Sequence, residues 1–235
     1  MTTVLKIQKD LSLLNSDLVL DKKGFNTVFS KHLIKGYDLF ILKFTSRLIT
    51  NCDARKYVLE MYRNALSSNH LDIGPGSGYF LDLAPFPSSQ PTLTLCDIHP
   101  GSIGFCMERL ARYSPTFVQA DVSIPFKLEV QFDSVGMNAV MHCVRGDSAK
   151  KFDTAFQNIA AILKPNGVFF GSTILGKSGN FNTLGRKLND FYNSKGIFSN
   201  NNDTIEHLTA ALEQHFKDVK VNLHGALAIF SARGK

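Results

Sequence analysis

The sequence predicts an α/β fold built on a doubly wound, mostly parallel sheet, and two observations carry that prediction. From about residue 69, short apolar runs alternate with segments of helical period, the pattern of a parallel sheet with helices on both faces. Near the end, two apolar runs flank a tight turn close to Gly225. Only antiparallel strands can be joined so tightly, so we expect the sheet to end in an antiparallel hairpin.

Residues 1–66 precede this alternation and are expected to form an N-terminal helical lid. The stretch from 31 to 66 has helical character, and Asp53 is the expected N-cap of its second helix. The apolar side chains of that helix recur at helical spacing and should form one buried stripe. They are Val58, Met61, Tyr62 and Leu66.

Residues 67–235 are expected to form the main domain. The predicted strands of its parallel part are His70–Ile73, Thr92–Cys96, Thr116–Gln119, Ser134–Ala139 and Val168–Ile174. The predicted helices are Ser102–Tyr113, Ala149–Leu163 and Thr204–Phe216. We expect Asp203 to cap the last helix and the Pro165-Asn166-Gly167 cluster to form a turn before the fifth strand.

The segment Gly176–Asn202 departs from this regular alternation because it is long, polar and rich in asparagine. It contains one helical stretch, Thr183–Tyr192. Loops of this length are uncommon unless they are functional or disordered. One interpretation is a flexible surface excursion. The other is a flap over the substrate, since the segment leaves the sheet at the carboxyl edge, where open α/β sheets bind ligands.

The stretch His70–Tyr79, H-L-D-I-G-P-G-S-G-Y, is the most informative part of the chain. Asp72 is followed by glycines at alternating positions, and glycines in such a turn let a ligand lie against the main chain. A dinucleotide fingerprint, G-x-G-x-x-G, would require its third glycine where Tyr79 stands. A nicotinamide oxidoreductase is therefore disfavoured. The glycines are Gly74, Gly76 and Gly78.

This D-x-G-x-G-x-G pattern resembles the first motif of the class I S-adenosylmethionine-dependent methyltransferases, of the type that acts on small molecules. The resemblance covers about residues 70–175 strongly and includes the segment L-K-P-N-G-V-F-F-G-S-T. It implies a Rossmann-like, seven-stranded sheet in which residues 67–235 bind S-adenosylmethionine (SAM). The product would be S-adenosylhomocysteine (SAH), and no metal is expected.

The resemblance also assigns roles to residues at strand ends. In the family, the acid at the position of Asp72 lies near the methionine amino group of SAM, whereas the plain alternative is an acid that caps the next helix. Asp97 follows Gly78 by 19 residues, the distance at which an acid at the tip of the second strand can bind both ribose hydroxyls. Its alternative is a solvated turn acid. Ile98 could pack on the adenine.

Two further segments carry candidate residues. Asp121 and Val122 lie in F-V-Q-A-D-V-S-I-P-F, where the resemblance implies that the acid accepts from the adenine amino group and the next residue's backbone contacts the ring. Asn138 lies at the carboxyl end of the fourth strand, where cofactor and acceptor should meet. His142 follows and is the candidate general base, because an imidazole can take a proton near neutral pH. A lone histidine is more often structural.

Charge and composition narrow the remaining classes. The net charge is +6, but no basic run or basic-aromatic cluster stands out, so a nucleic-acid partner is not expected. We find no signal peptide and no apolar run long enough for a membrane, which predicts a cytoplasmic protein. Motifs for metal ligation are absent. The first hypothesis is methyl transfer to a small-molecule acceptor such as a secondary metabolite. An RNA methyltransferase and a non-catalytic SAM-binding regulator or scaffold remain open, as does the oligomeric state.

Overall fold

The computed structural model describes residues 46–235, which contain a seven-stranded sheet of order β3-β2-β1-β4-β5-β7-β6. Strands β1 to β5 pair in parallel, whereas β7 pairs antiparallel with both β5 and β6. The predicted fold class is therefore confirmed. The strands are β1 (Asn69–Ile73), β2 (Thr92–Asp97), β3 (Thr116–Gln119), β4 (Phe132–Asn138), β5 (Leu163–Ile174), β6 (Phe216–His224) and β7 (Leu227–Gly234).

Helices cover both faces of the sheet. They are α1 (Ser46–Thr50), α2 (Ala54–Ala65), α3 (Tyr79–Leu83), α4 (Pro100–Arg109), α5 (Ser148–Ile162), α6 (Thr183–Ser194) and α7 (Ile205–His215), with a 3₁₀ turn at Ala111–Tyr113. One apolar core lies between the sheet and the pair α5 and α7, and a second lies between the sheet and α2, α3 and α4. Because side chains alternate along a strand, neighbouring residues of β1 enter opposite cores.

Helix α2 packs directly on the sheet. Its predicted N-cap is confirmed, since the Asp53 carboxylate accepts from the Lys56 N–H at 3.2 Å. The predicted stripe is also found, with Val58, Met61 and Tyr62 buried in the same core as side chains of β2 and β5. Residues 54–65 are thus part of the sheet's covering layer. Most of the predicted lid, residues 1–45, lies outside the described residues, so the lid and the boundary at residue 66 stay predictions.

Two local predictions are corrected by the structure. Thr204, not Asp203, caps α7, and its hydroxyl accepts from the His207 N–H at 3.1 Å. Asp203 instead turns inward to the buried ammonium group of Lys151, with 2.8 Å between Nζ and Oδ2. The Pro165-Asn166-Gly167 cluster does not precede β5 but interrupts it. Asn166 has φ +61° there, and the pairing with β4 jumps from Leu163 to Val168.

Buried asparagines order the segment 176–202. The amide of Asn200 donates to the Ile174 carbonyl and to the side chain of Asn189, both at 3.0 Å. The side-chain oxygen Oδ1 of Asn200 accepts from the side-chain amide of Asn193 at 2.7 Å. Asn189 and Asn200 have no exposed surface. These bonds pack the segment onto the end of β5, which argues against a loose surface excursion, while its role as a flap stays a prediction.

Lys151 ties this segment to α5. Its ammonium group donates to the Ser199 carbonyl at 2.6 Å and to the Val144 carbonyl at 3.2 Å, in addition to its pair with Asp203. Both charged side chains are at most 2 % exposed. Removing one charge of a buried pair leaves the other without its counter-ion, which is far more costly than breaking a pair in solvent.

We expect Lys151→Met to lower the free energy of unfolding by about 3–5 kcal/mol, because Asp203 would stay buried and unpaired. Lys164→Met provides the matched control, since Lys164 and Asp133 form an exposed pair at the same 2.8 Å distance. That control should cost about 1 kcal/mol or less. Urea denaturation of both variants measures the difference, and equal losses would contradict the structural role given to Lys151.

Candidate functional site

The site lies at the carboxyl ends of the parallel strands. The strand order reverses direction at β1, which has β2 on one side and β4 on the other, and such a switch point opens a crevice for ligands. Asp72 lies near the end of β1, Asp97 ends β2 and Asn138 ends β4. Asp121 follows the end of β3 by two residues. The structure therefore brings the four polar residues predicted from separate motifs to one edge of the sheet.

The three glycines of the turn after β1 share a backbone conformation but differ in their surroundings. Gly74, Gly76 and Gly78 all have positive φ angles, of +65°, +56° and +73°. A Cβ at Gly74 would lie 2.4 Å from the side chain of Val140, and one at Gly78 would lie 2.8 Å from Cys106 Sγ. At Gly76 nothing lies within 4 Å of an added Cβ. Packing thus requires the first and third glycines, whereas the middle one borders open space.

Asp72 is fully buried. Its Oδ2 accepts from the Tyr62 hydroxyl at 2.8 Å and lies 3.3 Å from Nε2 of His70. Its Oδ1 has no hydrogen-bond partner among the described residues, although it is equally buried. The alternative role of a helix cap does not apply, because Gly78 stands at the N-cap of α3 and provides no side-chain bond. A buried acceptor without a donor is costly, so this oxygen is suited to receive a ligand's donor.

Room for this carboxylate comes from the neighbouring strand. Asp72 is paired with Gly136 of β4, and a Cβ at that position would lie 2.8 Å from Asp72 Oδ2 and 3.1 Å from the ring of His70. Sequence reasoning missed Tyr62, His70 and Gly136 as parts of the site. One signal was available, since residues 70 and 72 must share a face of their strand.

Asp97 and Asp121 are each held by a short turn that follows them in the chain. Oδ1 of Asp97 accepts from the His99 N–H, and Oδ1 of Asp121 accepts from the Ser123 N–H, each at 2.8 Å. Such turns fix a carboxylate at the start of a loop. Both side chains are partly exposed. The turns orient the two acids at the crevice edge, which suits ligand binding as well as a plain turn role.

The residues that follow these acids have different surroundings. Ile98 is partly buried, and its carbonyl accepts from the Gln119 amide at 3.2 Å. The side chain of Val122 is buried in the core on the α5 side, and its carbonyl accepts from Asn158 at 2.9 Å. Contact between Val122 and a ligand would therefore involve its backbone, which is the contact that the resemblance implies.

At the end of β4, Asn138 is fixed by a bond from the neighbouring strand. The Ser172 hydroxyl donates to Asn138 Oδ1 at 2.6 Å. Ala139 then takes a positive φ of +57°, and its N–H donates to the Ser172 carbonyl at 2.9 Å. A non-glycine residue with this φ is strained, and such strain is concentrated at functional sites. The sharp exit from β4 keeps Asn138 at the crevice edge.

His142 is packed rather than exposed. Its Nδ1 accepts from the Ile174 N–H at 3.4 Å, and the ring of Phe198 contacts it edge-on at 4.5 Å. Burial and, to a lesser degree, the nearby Lys151 ammonium lower the pKa of His142 from 6.5 to about 3. A general base works best when its pKa lies near the working pH. These surroundings favour a structural imidazole, and a catalytic role for His142 stays a prediction.

Comparison with known proteins connects this geometry to a family. A protein-family profile described as a methyltransferase domain matches residues 71–169. Demethylluteothin O-methyltransferase of Streptomyces thioluteus is 37% identical over 205 residues, which cover 87% of this chain and 88% of that protein. The chain belongs to the class I SAM-dependent methyltransferase family. It is accordingly a methyl-transferring enzyme, and the family predicted from the glycine motif is confirmed.

A second relative supports this assignment, and a solved structure shares the fold. The physcion biosynthesis cluster O-methyltransferase of Aspergillus chevalieri is 31% identical over 207 residues, covering 87% of this chain and 92% of that protein. The crystal structure of the N-methyltransferase NodS from Bradyrhizobium japonicum WM9 with SAH superimposes with a TM-score of 0.56 at 20% identity, covering 77% of this chain and 85% of that one. The latter shows a shared methyltransferase fold.

Metal ligation and membrane insertion find no support in the described part of the chain. Between residues 46 and 235, no group of three His, Cys, Asp or Glu side chains is arranged to hold a metal ion. Within the same range, every helix is too short or too polar to cross a membrane. The predicted absence of a metal remains a prediction.

The lowered pKa of His142 predicts acid sensitivity. Below about pH 6.5 the unfolded chain binds a proton at this residue, while the folded chain does not until about pH 3. The contribution of His142 to the free energy of unfolding is therefore present above about pH 6.5 and is lost progressively as the pH is lowered. Between pH 7.5 and 5.0 this residue should account for a loss of about 2 kcal/mol.

Urea denaturation at both pH values measures this loss. His142→Asn should lose less stability than the wild type over that interval. Between pH 7.5 and 9, the unfolding free energies of the two proteins should change with pH in the same way. If the two proteins have the same acid slope, His142 does not carry the effect.

Proposed function

We propose that this methyltransferase transfers the methyl group of SAM to a hydroxyl oxygen of a small, partly apolar acceptor. Two relatives that share about a third of their residues with this chain are named as O-methyltransferases, one for demethylluteothin and one for a physcion biosynthesis cluster. Each covers most of this chain. We also propose that the protein acts in the cytoplasm on a free small molecule, as the sequence predicts.

The unpartnered Oδ1 of Asp72 is the observation that carries the proposed donor site. SAM has an ammonium group on its methionine part. An ammonium group donates hydrogen bonds, which Oδ1 of Asp72 lacks here, and its positive charge is opposite to that of a carboxylate. The open space at Gly76 leaves room for the methionine chain against the main chain. The residues present therefore fit the cofactor at this turn.

The remaining contacts follow the order of the strands. Asp97, fixed by its turn at the tip of β2, would accept from the ribose hydroxyls, with Ile98 beside the adenine. Asp121 would accept from the adenine amino group, and the Val122 backbone would contact the ring. Asn138 would lie between donor and acceptor. In this assignment Gly74 and Gly78 shape the turn, and Gly76 lies next to the ligand.

Alignment is the main catalytic task of such a site. SAM supplies an already activated methyl group, so the protein's residues have to hold the acceptor oxygen in line with it at about 3–3.5 Å. A dry crevice favours the reaction because positive charge on sulfur is lost in the transition state. A general base would add about 10²–10⁴-fold. His142, which burial keeps neutral, is the candidate for that lesser contribution.

An acceptor screen tests the proposed reaction. The protein is incubated with SAM carrying a labelled methyl group and with panels of phenols, enols, amines and thiols, and with total RNA. Labelled methyl ethers from hydroxylated small molecules are expected. Transfer to RNA alone would overturn the acceptor class, and SAM binding without transfer to any panel would favour a regulatory role.

We expect Asp97→Ala to weaken SAH binding by about 10–100-fold, because two hydrogen bonds to a charged acceptor would be lost. Asp133→Ala is the matched control, since Asp133 lies at the opposite end of β4 in an exposed pair with Lys164. Isothermal titration calorimetry measures both affinities. Binding by Asp97→Ala as tight as by the control would contradict the ribose assignment.

A further inference from the structure

We propose that Tyr62 and His70 are positioning residues that hold Asp72 for the ammonium group of the methyl donor. This inference rests on the donor site proposed above and deepens it. It assigns a role in cofactor recognition to α2, a helix that the sequence placed in the N-terminal cap, and to a histidine that precedes the glycine motif. Neither residue belongs to the motif that identifies the family.

The hydrogen bonds around Asp72 are one-sided. Both neighbours, the Tyr62 hydroxyl at 2.8 Å and His70 Nε2 at 3.3 Å, approach Oδ2, and Oδ1 receives nothing from the described residues. A carboxylate with two donors on one oxygen cannot rotate without losing them. The other oxygen is thereby kept available for a donor that is not part of the described structure.

A chain of hydrogen bonds orients His70. Its Nδ1 lies 2.8 Å from the Ser134 hydroxyl oxygen, and that oxygen accepts from the Ser67 N–H at 3.0 Å. When Asp72 is ionised, Nε2 has to carry a proton, because a lone pair there would face the carboxylate. Ser134 then fixes the ring from its other side. This arrangement resembles the way a second group fixes the tautomer of a functional histidine.

Aromatic packing holds both donors in place. The Tyr62 ring stacks on Phe80 at 5.8 Å and meets the edge of Phe170 at 5.1 Å. The His70 ring stacks on the same Phe170 at 5.7 Å. Tyr62 and His70 are at most 2 % exposed. Neither donor can swing away without opening the core between α2 and the sheet.

Tyr62 is suited to act only as a donor. Burial and the neighbouring Asp72 raise its pKa well above the ordinary value, so its hydroxyl keeps its proton at any physiological pH. The neutral O–H compensates part of the desolvation of the carboxylate without neutralising its charge. A neutral hydroxyl donor therefore leaves the charge of the Asp72 carboxylate in place, which favours a ligand with an ammonium group over one without it.

Calorimetric titration of Tyr62→Phe with two ligands tests this role. The first ligand is SAH, and the second is its deaminated analogue, in which hydrogen replaces the α-ammonium group. We expect SAH to bind about 5–30-fold more weakly to the variant, because Asp72 would lose a donor that holds Oδ1 toward the ammonium group. The affinity for the deaminated analogue should change by less than about twofold. Tyr57→Phe, the same change on the other side of α2, should leave both affinities unchanged.

The outcomes separate this inference from the proposed function. If the wild type does not bind SAH, the proposed donor site itself fails. If it binds SAH and Tyr62→Phe binds equally well, the donor site stands and the positioning role is overturned. Equal weakening of both ligands would show a general structural effect of Tyr62 and would also overturn it. Selective weakening of SAH supports it, and binding of the analogue shows that the variant is folded.

Discussion

The buried carboxylate of Asp72 is the constraint on which the site depends. It lies in the core between α2 and the sheet, where an unsolvated charge is tolerated only with donors around it. The fold supplies two of them and a glycine that makes room on the next strand. A polar residue at this depth weakens a core, which indicates a functional role for Asp72.

The sheet order places the remaining groups around that carboxylate. Parallel strands end at one edge, and the reversal of order between β1 and β4 opens the crevice there. Short turns then fix Asp97 and Asp121, and the bond from Ser172 fixes Asn138. The methyltransferase fold thus brings four separate strand ends to one edge of the sheet. Short turns bond Asp97 and Asp121 to nearby backbone N–H groups, whereas Asp72 is held by the side chains of Tyr62 and His70.

Polar groups also build the region beside the crevice. The asparagines of segment 176–202 and the Lys151–Asp203 pair replace apolar packing with directional bonds that join β5, α5 and α6. His142 lies among these elements and contacts the Phe198 ring. Directional bonds specify one arrangement more strictly than apolar contacts do, which suits the flap role predicted for segment 176–202.

The sequence by itself determined the fold class, the order of elements and the family. Period-2 and helical patterns are local, and they predicted β3, most of the other strands and the cap Asp53 because backbone preferences and core burial act over a few residues. The D-x-G-x-G-x-G turn was equally readable, since positive φ angles select glycine at positions that the sequence displays directly.

Tertiary structure decided which partners meet. Asp203 was expected to cap a helix by its position, but a buried lysine 52 positions earlier in the chain binds it, and the adjacent Thr204 caps instead. His142 became a buried, neutral imidazole through contacts with β5 and Phe198. Tyr62 reached Asp72 from another element. Such pairings depend on packing between distant segments, and no local pattern encodes them.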